Sequence, residues 1–150
     1  MLRFIAGIIV GYLVMAALIV AMFFTTIRAM GWDGVLQPAS YWTTNTFNMI
    51  VLTGGFFAAI VGGAVCMVIA RNGRAATTLI AIVLIFGIGS AIMNMNRPDP
   101  PARTGEITLE DLNEHGKEPV WFGFGKVVIA AAGLLIGSSL VPRKNAAQRS

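Results

Sequence analysis

The chain has 150 residues, of which 56% are apolar and 12% charged, and it carries a formal charge of +4. Soluble domains average about a quarter charged residues, so the composition excludes an ordinary water-soluble globule and makes membrane the first class to test. The basic residues lie scattered at the ends of apolar blocks rather than in a stripe, which marks them as topology signals and excludes a nucleic-acid partner.

Four apolar blocks of at least 20 residues dominate the chain. A hydrocarbon layer about 30 Å thick takes about 20 helical residues at 1.5 Å each, so the blocks predict an all-α, integral membrane four-helix bundle. The first predicted helix covers about 4–28. It follows Met1-Leu2-Arg3 as a signal peptide would, but its apolar run exceeds the ~7–15 residues of a signal core. No small-x-small cleavage site precedes Arg28, so it reads as a retained helix. Gly7 and Gly11 stand four apart near its start. The following outer loop, 29–44, contains Gly31, Gly34 and Pro38 and reads as a short turn-rich cap.

The second helix, 45–70, carries two rows of small residues four apart. Gly54, Ala58, Gly62, Cys66 and Ala70 form one, and Gly55, Ala59 and Gly63 the other. Lipid tails solvate leucine as well as a neighbouring helix does, so helix association depends on close approach, which small residues permit. These rows predict a central second helix with other backbones lying against it. Cys66 is the lone cysteine and reads as a small buried residue.

The cytoplasmic loop 71–74, Arg71-Asn72-Gly73-Arg74, leads into the third helix, 75–95, whose Gly87 and Gly89 do not make a four-residue repeat. The second outer loop, 96–119, begins with the extended Arg97-Pro98-Asp99-Pro100-Pro101. Thr108-Leu109-Glu110-Asp111 then matches a capping box, with Ile107 and Leu112 spaced as a hydrophobic staple and Gly116 as a stop, which predicts a two-turn helix over Leu109 to His115. The fourth long helix, 120–141, repeats the small-residue spacing at Gly133 and Gly137, at a depth that would let them meet Gly7 and Gly11. A short tail, 142–150, closes a single membrane domain.

Arg3, Arg71, Arg74, Arg143, Lys144 and Arg149 fall on one side and all seven acids on the other. Two arginines in so short a loop are hard to translocate, which predicts that side, with both termini, to be cytoplasmic in a plasma or bacterial inner membrane. Trp32, Trp42 and Trp121 gather at the opposite boundary as interface anchors. The only charge inside a block is Lys126, near enough to one end for its stem to reach the headgroups.

Signals of chemistry are weak. Asn48, Ser90 and Asn94, near the outer ends of three helices, could line a polar vestibule, although polar side chains there more often satisfy neighbouring backbone. Met93 and Met95, with Met22, Met30 and Met49, place thioethers near one surface, a pattern that ordinary helix packing explains better than Cu(I) binding. His115 and Asp111 are spaced to share a helix face, but one histidine with flexible carboxylates is a poor metal or catalytic set. No nucleophile-base pair or phosphate loop is present, and no cofactor is expected. The expected function is therefore a non-catalytic membrane component, a structural, assembly or accessory subunit. Its partners would be the lipid bilayer and either a second copy or another membrane protein. An oligomeric passive channel or solute facilitator is the alternative.

Overall fold

The computed structural model describes residues 1–103 and 107–142. Glu106, Arg143, Lys144 and Arg149, which enter the charge distribution above, lie outside them. The described chain is helical apart from loops and three isolated β-bridges. Four helices, α1 (Leu2–Val35), α2 (Asn45–Ala70), α3 (Gly73–Met95) and α5 (Val120–Ser139), are long and apolar enough to cross a membrane, and the seven-residue α4 (Leu109–His115) lies between α3 and α5. One end of the long helices carries the two longer connections and is called the loop face. The other carries the chain start and the Arg71-Asn72 turn and is called the turn face.

Helix α1 runs past the expected end at residue 28. Apolar residues continue through Met30, Trp32 and Val35, and the only interruption is Gly31, at φ 65° and ψ 173°, a conformation that glycine adopts without strain. The first loop-face connection is accordingly shorter than predicted and occupies 36–44. It closes on itself: Leu36 bridges to Thr43, and Gln37-Pro38-Ala39-Ser40 forms a turn with proline second and a left-handed Ala39 third, closed by Ser40 N–H donating to Gln37 O at 3.2 Å.

Thr44 then starts α2. Its hydroxyl accepts from Phe47 N–H and donates to the carbonyl of Gly34 at 2.6 Å, so the cap of α2 also ties down the end of α1. At the turn face the connection is shorter than four residues: Arg71 takes a left-handed φ of 49°, and the Asn72 side chain caps α3 by accepting from Arg74 N–H. Helix α3 therefore begins at Gly73, two residues earlier than expected, while α5 ends at Ser139, two residues earlier than predicted. Thr108 and Asp111 form both halves of the capping box on α4. Gly116 ends α4 for a different reason from the one expected. Its φ is −59°, not left-handed, but a β-carbon there would lie 2.2 Å from Leu112 O.

The capping box gives α4 a pH dependence. Hydrogen bonds from the Thr108 hydroxyl, then from the Thr108 backbone, hold the Asp111 carboxyl below its ordinary value of 3.8. A carboxylate favoured in the folded state stabilises above the ordinary pKa, and that contribution is lost as pH falls through the lowered one. Protection of the α4 amides from hydrogen exchange, relative to their intrinsic rates, is therefore expected to fall below about pH 3.8, and Thr108→Ala should lower the same protection at neutral pH.

The small-residue rows determine how the long helices meet. Helix α2 lies between α1 and α5, α3 packs chiefly on α5, and α1 and α3 touch over a short stretch. Gly7 and Gly11 lie against Cys66, Ala70 and Gly62 of α2, whereas Gly133 and Gly137 lie against Phe56, Ala59 and Ile60 on another side of the same helix. The expected meeting of α1 with α5 through these glycines does not occur, because α2 offers small residues to both and stands between them. The α3–α5 contact uses Gly87 beside Val127 and Gly123 beside Ala91.

Around these seams, Met15, Ala59, Cys66, Ala75, Leu79 and Leu134 share a buried cluster that fills the interior toward the turn face. A second cluster of Val35, Leu36, Tyr41 and Phe47 lies at the loop face, with Ile107 and Leu112 from either side of the α4 cap packed against it.

Candidate functional site

The loop face is the most constructed part of the molecule. Lys117 enters it as a buried cation, because the strand-like segment after α4 pairs with the first connection: Lys117 N–H donates to Tyr41 O, and Thr43 N–H donates to Lys117 O, both at 3.1 Å. Its ammonium donates to Arg97 O at 2.8 Å and to Asp99 Oδ1 at 2.9 Å and lies 5.1 Å from the centre of the Trp42 ring. One side chain thus joins the end of α3, the proline-rich stretch and the first connection. Arg103 adds a second tie, with its guanidinium on Asp33 and its backbone N–H on Ala39 O. Replacing Lys117 with methionine keeps the stem but deletes three attractive contacts. Limited proteolysis is expected to cut the 97–103 stretch sooner in that variant, with the long helices remaining protected.

Beneath this platform the helices leave two adjoining hollows. The upper one, about 670 Å³, is bounded by the ends of α1, α2 and α3 and roofed by Leu109 and Leu112 of α4. The lower one, about 290 Å³, lies among all four long helices and is walled mainly by apolar side chains such as Met15, Ile19, Leu52, Val83 and Val127. Phe86, Ser90, Glu118 and Lys126 border both.

The ion pair at this junction was not visible in the sequence. Lys126 is the seventh residue of α5, roughly 9 Å below the helix start at 1.5 Å per residue. Side chains on a helix lean toward its N-terminus, so the lysine rises over the Phe122 ring one turn earlier, 4.8 Å from its centre, and its ammonium meets Glu118 Oε2. Glu118 precedes the helix and is held from the other side by Asn94. The Asn94 amide donates to Glu118 O at 2.9 Å, and its oxygen accepts from Glu118 N–H at 3.4 Å. The pairing spans eight residues and crosses a helix boundary, so no helical spacing rule signals it; the only hint was one lysine within an apolar block.

The three vestibule candidates separate. Ser90 is exposed and borders both hollows, and Asn94 borders the upper one while clamping Glu118. Asn48 lines neither and is fully buried, with Oδ1 and Nδ2 making no hydrogen bond among the described residues. Thr25 and Thr26 bond back to Ala21 and Met22 carbonyls of their own helix.

The tryptophans all lie at the loop face. Trp32 follows the Gly31 break, Trp42 stacks with Lys117, and Trp121 is exposed in the first turn of α5. Among the methionines, Met22 covers Gly54 and Met30 folds onto Gly34, while Met49, Met93 and Met95 are exposed. Asp111 is engaged in the α4 cap, and His115 packs its ring on Tyr41 at 5.4 Å between centres.

Gly54, Ala58 and Gly62 face different neighbours along one row. Gly54 is covered by Met22, Ala58 is buried in the central cluster, and Gly62 lies against Gly11 and Met15 of α1. In the adjoining row, Gly63 and Ala59 meet α5, while a β-carbon on Gly55 would meet nothing within 4 Å.

Four helices long and apolar enough to cross a membrane are what the architecture establishes, consistent with a multi-pass membrane protein. Comparison with protein-family profiles, curated proteins and solved structures gave no match.

Proposed function

We propose that this chain is a non-catalytic accessory or assembly subunit of the membrane, a single four-helix bundle with both termini cytoplasmic and the loop face outside. The observation that carries this reading is the platform tied together by buried Lys117, a large structural commitment for connections that only need to join helices. It fixes α4 so that Glu110 and Glu114 stay exposed, an acidic surface suited to docking. The arginines of the turn face, Arg3, Arg71 and Arg74, support the orientation. The packed cluster toward the turn face argues against a pore through one copy.

Crosslinking from Glu110→Cys in native membranes tests the proposal. The expected result is one discrete adduct, either with a second copy or with another membrane protein. Only uncrosslinked chain, together with a monodisperse monomer in mild detergent, would overturn it. A second reading, an oligomeric passive channel or solute facilitator, draws on the two hollows at the loop face. Solute flux in proteoliposomes separates the two.

A further inference from the structure

We infer that the two adjoining hollows, which share Phe86, Ser90, Glu118 and Lys126 as lining, form a binding site for one membrane lipid with an anionic phosphate headgroup, the headgroup in the upper hollow and an acyl chain in the lower. The inference does not depend on any protein partner.

Three observations point to this occupant. The first is charge. The upper hollow is bordered by Arg97, Lys126 and Glu118, which leaves one net positive charge at the place where a headgroup would sit. Arg97 is held at the rim through Nη1, which donates to Asn113 O and Gly116 O, and its remaining nitrogens make no hydrogen bond among the described residues. An ammonium has three donors and Lys126 commits one to Glu118, so both cations can still bind a phosphate oxygen.

The second observation is the change of lining with depth. Asn94, Asn113 and Arg97 border the upper hollow alone, Ser90 and the Lys126–Glu118 pair stand where the two hollows adjoin, and the rest of the lower lining is almost wholly apolar. That order matches an amphiphile entering tail first. The route is the seam between α1 and α3. These helices touch only briefly, yet Tyr12, Met15 and Ile19 of one and Val83, Phe86 and Gly87 of the other wall the same lower hollow.

The third observation concerns glycine. Most glycines in the long helices are needed because another chain segment lies against them. Gly55, bordering the lower hollow, and Gly89, bordering the upper, would present a β-carbon to nothing within 4 Å. Glycine weakens a helix, so two positions with no packing requirement, one beside each of the adjoining hollows, are explained by keeping that space open. A free phosphate would leave the apolar half unused, a neutral lipid would leave the cations unused, and a helix from a second copy would bring apolar side chains against the charged rim.

The full chain, purified in neutral detergent and stripped of lipid, tests the inference. Retention by native mass spectrometry and the thermal midpoint would be measured with phosphatidylglycerol, with phosphatidylcholine of the same chains, and with inorganic phosphate. One phosphatidylglycerol per chain should be retained, about ten-fold more tightly than phosphatidylcholine, and inorganic phosphate should not raise the midpoint. Lys126→Met and Arg97→Gln should each weaken retention about ten-fold.

Gly55→Leu should fold, because its side chain enters open space, and should weaken retention by filling the lower hollow. Arg74→Gln, at the turn face, should change nothing. Equal retention of the two lipids, stabilisation by phosphate alone, an Arg74→Gln effect as large as that of Arg97→Gln, or undiminished retention in Gly55→Leu would each overturn the inference. If Lys126→Met fails to fold, Arg97→Gln and Gly55→Leu still decide the matter.

Discussion

Gly137→Ala is expected to be the most damaging single methyl group that can be added to this chain. The new β-carbon would lie 1.9 Å from the carbonyl oxygen of Ile60, and on the facing side of the seam Gly63→Ala would bring one to 2.5 Å from Leu134 O. Both obstacles are backbone, which cannot rotate aside as a side chain can, so α2 and α5 must separate along their length. Overpacking costs about 1 to 3 kcal/mol in well-packed interiors, and a backbone obstacle places these substitutions at the upper end, near 3 kcal/mol. Gly55→Ala is the control. It adds the same methyl to the same helix where nothing lies within 4 Å, and it should gain up to about 1 kcal/mol of helix propensity. Unfolding titrations in mixed micelles would compare the three. Equal losses would show that the seam does not depend on close approach.

Glu118→Gln should have the next largest effect, about 2 kcal/mol of destabilisation. It leaves the Lys126 ammonium unpaired below the start of α5, where charge becomes costly as the apolar layer deepens. The double variant Glu118→Gln with Lys126→Met removes both charges and should recover most of that loss. This asymmetry distinguishes a coupled pair from two independent surface groups. A double-mutant cycle in the same titration reads it directly, and additive losses would refute the coupling.

The elements were legible where one physical rule dominated. The bounds of α2 agree with the apolar block because Thr44 caps one end and Arg71 leaves the helix at the other. Helix α4 was marked by a capping pattern whose two hydrogen bonds both form. The end of α1 was not legible, because Gly31, Gly34 and Pro38 together read as a turn-rich loop, whereas the chain breaks only at Gly31 and then resumes for one more turn. Small-residue rows announced a central α2 but could not assign partners. Gly55 and Gly63 belong to the same row and differ only in what the fold places beside them, open space in one case and Leu134 in the other. The Lys126–Glu118–Asn94 arrangement was hidden for a related reason. It joins two helices and a connection, and Glu118 reads as one more acid of a solvated loop until Asn94 is seen to hold its backbone.

The position of α2 also bears on the order in which the molecule is completed during synthesis. Helices α1 and α2 emerge before α3 and α5 and are each other's most extensive neighbours, so they can settle as a hairpin before those two are made. Helix α3 arrives next and finds only brief contacts with both, since its main surface, around Gly87 and Ala91, awaits Val127 and Gly123 of a helix not yet translated. A nascent chain halted before Val120 would hold a finished pair and a loosely attached third helix, and the last of these four helices to leave the ribosome would be the one that fastens the third to the pair.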